Sequence, residues 1–194
     1  MSPAFLLALQ LVGRRVVVVG TADEALLRCR DLRVHGALVR LVAPTADAAL
    51  AEYARAEPDV EWLVEQPSLA HLDGAWLCVV ADRNDAWVEL LGPACLERQL
   101  FFCAVDQPRH NSFSHVGVAS AGPLRVGIST SGVAPGLARW LRARLQELFD
   151  RADFTGIVTR LAGARAAASA ESRRGVVDAE LAKLHFEATL TRDP

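Results

Sequence analysis

The sequence is poor in cysteine, has no long apolar run and carries almost no excess charge. Its 194 residues include four cysteines, none of them in a CxxC pair: Cys29, Cys78, Cys95 and Cys103. We therefore expect neither a disulfide framework nor a metal site, and predict buried, reduced thiols instead. The net charge of −2 and the scattered arginines provide no basic patch for a nucleic acid.

The apolar stretch near the N-terminus, residues 4–12, is far shorter than the roughly 20 residues that cross a bilayer. It also lacks the basic flank and the cleavage site of a signal peptide. We therefore expect a cytoplasmic protein without a membrane partner, in which this stretch packs on the first strand.

What the sequence does contain is an alternation of strands and helices. Hydrophobic residues make up 52% of the chain and charged residues 23%, which suits a globular core. The β-branched run 16–19, ending at Gly20, is typical of a parallel strand that is buried on both faces. A helix with acids in its first turn follows, and then a second apolar strand at 37–43, closed by Pro44. This order predicts a β-α-β unit with a right-handed crossover.

The alternation continues to Val105. The further predicted elements are a helix at 46–55, strands at 60–64, 75–80 and 100–105, and a helix at 84–98 that Gly92-Pro93 should break or kink. Together these elements indicate an α/β fold, a Rossmann-like doubly wound parallel sheet.

After Asp106 the pattern changes. Two short strands, 114–119 and 124–129, are joined by a tight link that predicts a hairpin, and helical patterns run from there to the end. We predict a nucleotide-binding Rossmann-like domain at 1–108, a hairpin and linking helix at 109–150, and a C-terminal helical domain at 151–194. The apolar stripe of the linking helix needs a covering surface, so the middle region is expected to form a homodimer.

Four segments resemble the siroheme synthase N-terminal (precorrin-2 dehydrogenase) family, and together they cover nearly the whole chain. They are the apolar lead-in with its strand up to Gly20, the segment 36–44 (GALVRLVAP), the Val105-Asp106 dipeptide with Pro108 and Phe113, and the segment 122–142. The second is similar to the family's GAxVxVVAP and the third to VVDxPxxxxF. The last resembles GPLxVAISTGGxSPxLARxLR and is the most specific, because its spacing holds over its whole length.

The resemblance implies an enzyme of siroheme biosynthesis that oxidises precorrin-2 to sirohydrochlorin with NAD. Some members also insert iron into sirohydrochlorin, which makes Fe²⁺ or Co²⁺ a candidate chelation substrate. Two other classes stay open. One is an NAD-independent tetrapyrrole chelatase or tetrapyrrole-binding protein, and the other is a non-catalytic dimeric regulator. Titration with NAD separates the first class from the other two.

The loop after the first strand departs from the dinucleotide fingerprint G-x-G-x-x-G/A. Gly20 and Ala25 fit, but Ala22 stands at the second glycine, where its methyl group either intrudes toward the phosphates or forbids a positive φ. Glu24 adds negative charge to an anion site. Either the loop binds NAD, or Gly20 merely turns the chain. The candidate cofactor-binding residues are Gly20, Thr21, Ala22, Asp23, Glu24, Ala43, Pro44, Thr45 and Asp82.

Asp106 is the predicted catalytic residue. It ends a buried strand at the carboxyl edge of the sheet, where ligands of such folds bind. Its carboxylate can take a proton from a reduced macrocycle or from pyrrole nitrogens; the alternative is that it caps the Gln107-Pro108 turn. Candidate substrate-binding residues, each of which can also be a capping, solvated or locally bonded group, are His110, His115, Ser129, Thr130, Ser131, Gly132 and Arg139.

Overall fold

The chain divides into two units. The computed structural model describes residues 4–185 and 187. The sheet unit comprises Leu7–His115, and the hairpin–helix unit comprises residues 4–6 together with those from Val116 onward.

Five parallel strands form the centre of the sheet unit, in the order β3-β2-β1-β4-β5. Its elements are β1 (Arg15–Val19), α1 (Asp23–Val34), β2 (Leu38–Val42), α2 (Ala48–Ala56), β3 (Val60–Leu63), β4 (Leu77–Val80), α3 (Asp85–Glu97) and β5 (Phe101–Ala104). A short 3₁₀ turn at Leu69–Leu72 lies between β3 and β4, and another at Pro108–His110 follows β5. The predicted doubly wound parallel sheet is confirmed.

Residues 16–19 of β1 form a continuous apolar run because both faces of the sheet are covered. Val16 and Val18 pack in one cluster with side chains of α1 and α2. Val17 and Val19 pack in the opposite cluster with side chains of α3. All four valines are fully buried, as expected for a central parallel strand.

The strand order reverses between β1 and β4, which are hydrogen-bonded neighbours although two strands intervene in the sequence. Their carboxyl ends, and that of β5, are in register, with Val19 opposite Val80 and Val80 opposite Ala104. In an open α/β sheet the loops that leave such a reversal diverge and form the ligand crevice.

Helix α3 runs unbroken through Pro93, so the predicted break at Gly92-Pro93 does not occur. Val88 and Leu91 before the proline, and Cys95 after it, are buried against the sheet. This packing supports the helix on both sides of the missing N–H donor. Gly92 has a separate role, since a Cβ there would fall 2.7 Å from the Cβ of His110.

The N-terminal stretch packs less than predicted. Leu11 is buried and Leu9 packs against the core cluster of β1. Phe5 and Leu7 stay exposed, at 88% and 56% of their accessible surface. Only the end of the stretch therefore contributes to the core.

The hairpin–helix unit contains the predicted hairpin. Strands β6 (Gly117–Ala121) and β7 (Leu124–Ile128) are antiparallel, with a two-residue turn in which Gly122 has φ +55°. The helices are α4 (Pro135–Arg151), α5 (Phe154–Ala167) and α6 (Arg173–Leu181). Residues 186 and 188–194 of the predicted helical domain lie outside the described residues. Among the described residues, no helix is both long and apolar enough to cross a membrane.

Candidate active site at the carboxyl edge of the sheet

Gly20 lies at the closest approach between the loop after β1, the end of β4 and helix α1. A Cβ at this position would fall 2.8 Å from Asp82 Oδ1, 2.9 Å from the Cβ of Ala25 and 3.0 Å from that of Ala81. A side chain is therefore excluded by space. This agrees with the first glycine of a dinucleotide loop, which allows a tight turn out of the strand.

Thr21 connects three loops at this edge. Its backbone N–H donates to both carboxylate oxygens of Asp82, at 3.1 and 3.0 Å, and its hydroxyl donates to Oδ2 at 2.7 Å. Its carbonyl accepts the N–H of Asp47 at 2.9 Å. The loops after β1, β2 and β4 are thus held together through one residue.

Helix α1 begins without a capping side chain. Its N-cap is Ala22, which has an extended backbone with φ −142° and makes no side-chain cap bond. The predicted conflict between alanine and a positive φ therefore does not arise, and only the volume of the methyl group remains. The uncapped first turn leaves amide donors at the positive end of the helix dipole, a ready anion site.

The acidic residues in that turn differ in their partners. Glu24 accepts a hydrogen bond from Arg28 Nε at 2.7 Å, one helical turn further along, so much of its charge is offset. Asp23 is exposed. It stabilises the helix start by its charge, but it opposes an anion bound there.

The segment after β2 is uncharged over residues 43–46 and meets the loop at Asp47. Ala43 is buried, and its carbonyl accepts the indole N–H of Trp62 at 3.3 Å. Pro44 and Thr45 follow at the surface, with Thr45 exposed. Asp47 caps α2, because its carboxylate accepts the N–H of Leu50 at 2.8 Å.

Asp106 follows β5 and is exposed, with a left-handed backbone at φ +58°. A backbone bond closes the turn that contains it, since Gln107 N–H donates to the Ala104 carbonyl at 3.3 Å, and the 3₁₀ turn that follows has no side-chain cap. Asp106 therefore does not serve as the cap of this turn. A non-glycine residue in this conformation is uncommon, and such residues cluster at functional sites.

Thr21, Asp82 and Asp106 each follow the in-register strand ends by two residues. Thr21 and Asp82 are in contact. Neighbouring strands lie about 4.8 Å apart, so the loop bearing Asp106 is roughly 10 Å across the edge from the loop after β1. The sheet thus brings the predicted catalytic residue and the predicted cofactor loop to the same edge.

Gln107 fixes the Asp106 loop and was not predicted. Its side-chain oxygen accepts the N–H of Asn84 at 3.0 Å, and its amide nitrogen donates to the Asp85 carboxylate. Asn84 in turn caps α3 by accepting the N–H of Trp87 at 3.1 Å. The sequence offered one indication of this role, since Gln107 carries a side-chain amide directly after Asp106.

Asn111 and Ser112 cover the free edge of β5. The Asn111 side-chain oxygen accepts the N–H of Ala104 at 2.7 Å, and the Ser112 hydroxyl accepts the N–H of Phe102 at 2.8 Å. These side chains take the place of a further strand, which protects an edge that would otherwise present open donors.

The two predicted histidines are in the sheet unit, but neither belongs to the group around Thr21. His110 packs on Gly92, with its Nε2 3.3 Å from a Glu89 carboxylate oxygen, so it is bonded locally. The ring of His115 lies edge-on to Phe113, with centroids 5.4 Å apart. Packing around the ring, and then the charge of Arg28, lower the pKa of His115 to about 4. The ring of His115 is therefore neutral at pH 7.

The loop 129–132 belongs to the hairpin–helix unit. Its hydroxyls bond within the unit: Ser129 Oγ accepts the N–H of Ser131 at 3.1 Å, and Thr130 Oγ1 accepts the N–H of Ala134 at 3.3 Å. Ser131 and Gly132 have positive φ values of +51° and +80°. Helix α4 starts at Pro135 without a side-chain cap, and Arg139 on it is exposed.

The cysteines are buried and free. Burial raises the pKa of Cys29 to about 12, which keeps its thiol protonated and unreactive. Within residues 4–185 and 187, no three His, Cys, Asp or Glu side chains are grouped so that they could hold a metal ion.

Two family models match the chain. One, described as "Putative NAD(P)-binding", covers residues 7–117, which is more than half of the chain. The other, described as "Sirohaem biosynthesis protein central", covers residues 121–148. The chain belongs to the siroheme synthase N-terminal family. The resemblance drawn from the four sequence segments is thereby confirmed.

Relatives in this family are longer than the chain. "Siroheme synthase 3" of Aeromonas hydrophila is 34% identical over 170 residues, which cover 85% of this chain and 36% of that protein. "Siroheme synthase" of Gluconacetobacter diazotrophicus is 36% identical over 146 residues, covering 73% of this chain and 31% of that protein. The chain thus spans about a third of the length of these curated relatives.

A solved structure shares the fold. "SirC, precorrin-2 dehydrogenase" superposes with a TM-score of 0.78 at 22% sequence identity, covering 91% of this chain and 88% of that one. The predicted fold, a Rossmann-like sheet followed by a hairpin and helices, is therefore shared with this solved structure.

Proposed function

We propose that this chain catalyses the NAD-dependent oxidation of precorrin-2 to sirohydrochlorin. The family and the names of its relatives support this activity. The observation that carries the proposal is the exposed carboxylate of Asp106, in a left-handed turn, at the same sheet edge as the Gly20 loop and the uncapped start of α1. A proton acceptor and an anion site at one edge are what a dehydrogenase of this fold needs.

The residues present fit a dinucleotide. The first-turn amides of α1 would hold the pyrophosphate, and Gly20 gives the close turn that precedes them. Ala43, Pro44 and Thr45 would lie beside a ribose. Residues 43–47 contain no Lys or Arg and end in Asp47. Because a 2′-phosphate is usually accommodated by a nearby arginine, we propose NAD rather than NADP.

The oxidation removes one hydride and one proton from the macrocycle. Bound NAD⁺ would supply the acceptor for the hydride. Asp106 accepts the proton, because its carboxylate is exposed and is not used in closing the turn that follows. Gln107, tied to Asn84 and Asp85, holds the loop that carries this carboxylate. Fixing a general base in this way limits the entropy lost at the reaction.

The substrate carries many carboxylates and requires cationic or N–H donors. We assign this role to Arg139 and to the loop Ser129, Thr130, Ser131 and Gly132, whose consecutive positive φ values shape the backbone. His110 and His115 remain proposed substrate contacts. The neutral state of His115 makes it a hydrogen-bonding group rather than a carboxylate counter-ion.

Replacement of the proton acceptor tests the proposal. Asp106→Asn keeps the shape of the side chain and removes its basicity, so the rate of sirohydrochlorin formation from precorrin-2 should fall about 10²–10⁴-fold. The matched control is Glu97→Gln, which removes an exposed acid at the far end of α3 and should leave the rate unchanged. NAD affinity and the thermal midpoint should be unchanged in Asp106→Asn. An undiminished rate would remove Asp106 from the chemistry.

A second function, favoured by the acidic nucleotide loop, is NAD-independent chelation or binding of a tetrapyrrole. Ala22 adds a methyl group and Asp23 a negative charge where phosphates would lie. Asp106 would then accept pyrrole protons as Fe²⁺ or Co²⁺, the metal substrate, enters the macrocycle. Absorbance changes on mixing sirohydrochlorin with Fe²⁺ or Co²⁺ in the absence of NAD would favour this function, and NAD-dependent turnover of precorrin-2 would favour the first.

We also propose that the chain acts as a cytoplasmic homodimer. Leu137 and Trp140 are one turn apart on α4 and keep 51% and 46% of their surface exposed. A second copy presents the same apolar stripe, so a two-fold interface would cover both. The four free thiols suit a reducing compartment.

A further inference from the structure

The carboxylate of Asp82 is fully committed to one residue. Both of its oxygens accept the backbone N–H of Thr21, at 3.1 and 3.0 Å, and Oδ2 also accepts the Thr21 hydroxyl at 2.7 Å. The two residues are 61 positions apart in sequence and follow neighbouring strands at the point where the strand order reverses. Their contact therefore spans the crevice edge, where the cofactor would bind.

We propose that Asp82 is a positioning residue that sets the nucleotide loop through Thr21, and that it does not itself bind the nucleotide. The inference rests on the proposed NAD site. It replaces the expectation that Asp82 contacts the cofactor directly. Hydrogen bonds to an ionised acceptor are about twice as strong as neutral ones, so this pair is a strong restraint on the loop.

The surrounding contacts make the link specific. Gly20 precedes Thr21, and a Cβ on it would fall 2.8 Å from Asp82 Oδ1. The absence of a side chain at Gly20 is thus what lets the carboxylate reach the Thr21 amide. On its other side Thr21 accepts the N–H of Asp47 at 2.9 Å. The residue is held from both directions, which preorganises the loop before any ligand arrives.

The link also decides which donors remain for an anion. Since the Thr21 amide is taken by Asp82, the donors left in this loop are those at the start of α1. A glycine at position 22 is then not required by the backbone, because Ala22 is extended. This accounts for a nucleotide loop that keeps Gly20 but has threonine and alanine after it.

Charge and positioning predict opposite effects of removing the carboxylate. If Asp82 acted only by its negative charge near phosphates, Asp82→Ala would tighten NAD binding. If it positions the loop, the same change should weaken NAD binding, by on the order of tenfold to a hundredfold, the range for hydrogen bonds to a charged group. The matched control is Asp23→Asn, which removes an exposed acid in the first turn of α1 and should tighten binding.

The experiment combines two readouts. Hydrogen exchange of the Thr21 amide is measured in the nucleotide-free protein, and NAD affinity is measured by fluorescence titration. In Asp82→Ala and Thr21→Val we expect faster exchange and weaker binding, whereas Thr21→Ser, which retains the hydroxyl, should stay close to the wild type. Asp82→Asn, which keeps the side-chain shape, should be intermediate and guards against loss of folding.

The outcomes separate this inference from the proposed function. Unchanged Thr21 exchange in Asp82→Ala, or tighter NAD binding in that variant, would overturn the positioning role. If the wild type binds neither NAD nor NADP, the proposed cofactor is wrong. The exchange measurement then still decides whether Asp82 holds the loop.

Discussion

The two units of the chain differ in how they are held together. The sheet unit has a large core on each face of its sheet, with a central strand whose four valines are completely buried. In the described part of the hairpin–helix unit, the buried apolar residues are Ala119, Ala121 and Phe149. One unit therefore carries its own core, whereas the other has little apolar surface removed from water.

Because of this difference, the sheet unit can hold a fixed site, whereas the hairpin–helix unit offers a surface for association. Contacts such as Thr21–Asp82 and Gln107–Asn84 stay in place because the strands beneath them are packed to high density. In the hairpin–helix unit, Leu137 and Trp140 lie one turn apart on α4 with about half of their surface exposed. A large exposed apolar stripe on a helix marks an interaction surface, which is why we assign it to the dimer contact.

The largest expected effect comes from removing core volume in the sheet unit. Phe102 in β5 is fully buried, so Phe102→Ala should lower the free energy of unfolding by about 3–5 kcal/mol, as measured by urea denaturation. The matched change in the hairpin–helix unit, Phe149→Ala, should leave the urea midpoint of the sheet unit unchanged. A loss below about 1 kcal/mol for Phe102→Ala would mean that the sheet unit is not the better packed of the two.

The next effect concerns association. Leu137→Glu with Trp140→Glu places two charges on the α4 stripe, and burying unpaired charge is costly. Sedimentation or light scattering should then report monomers at concentrations where the wild type is dimeric. The control is Leu96→Glu, an apolar residue exposed to a similar extent, 48%, on helix α3 of the sheet unit. A wild type that is already monomeric, or a variant that remains dimeric, would contradict the assignment of the stripe.

Much of this contrast was accessible from sequence. The run 16–19 predicts a strand covered on both faces, and two short strands with the tight link 120–123 predict the hairpin, because each depends on local residue types. The unbroken course of α3 through Pro93 was not predicted. Packing of the flanking side chains on the sheet outweighs the lost hydrogen bond. Such packing depends on residues distant in sequence, so a local pattern cannot predict it.

The sequence predicted which residues lie in the candidate site, but not which of them are hydrogen-bonded to each other. Asp82 was expected to bind the cofactor because of its place in the family, and this stays a prediction; the contact of its carboxylate with Thr21 was not foreseen. That pairing depends on β1 and β4 being neighbours, which follows from the strand order and not from spacing in the chain. Gln107 was missed for the same reason, since its partner Asn84 precedes a different element.

A smaller effect compares two glycines, one in each unit. Gly20→Ala adds a methyl group that meets Asp82 Oδ1 at 2.8 Å and the Cβ of Ala25 at 2.9 Å. Overpacking of this kind costs about 1–3 kcal/mol and should weaken NAD binding. Gly163→Ala in α5 meets nothing within 4 Å and should raise stability by roughly 0.5–1 kcal/mol. Thermal denaturation and NAD titration check both variants. If Gly20→Ala and Gly163→Ala change the stability equally, the sheet edge at Gly20 is not more tightly packed than the surroundings of Gly163 in α5.

The smallest effect compares two helix starts with the same residue. Ala22 and Ala134 are the N-caps of α1 and α4, and neither makes a side-chain cap bond. Ala22→Gly removes a methyl group beside the proposed phosphate site, without releasing backbone strain, because Ala22 is already extended. We expect NAD affinity to rise only a few-fold, since a glycine also loses more conformational entropy on ordering. Ala134→Gly should leave the NAD affinity unchanged, and an equal gain in both variants would mean that the effect does not arise at the nucleotide loop.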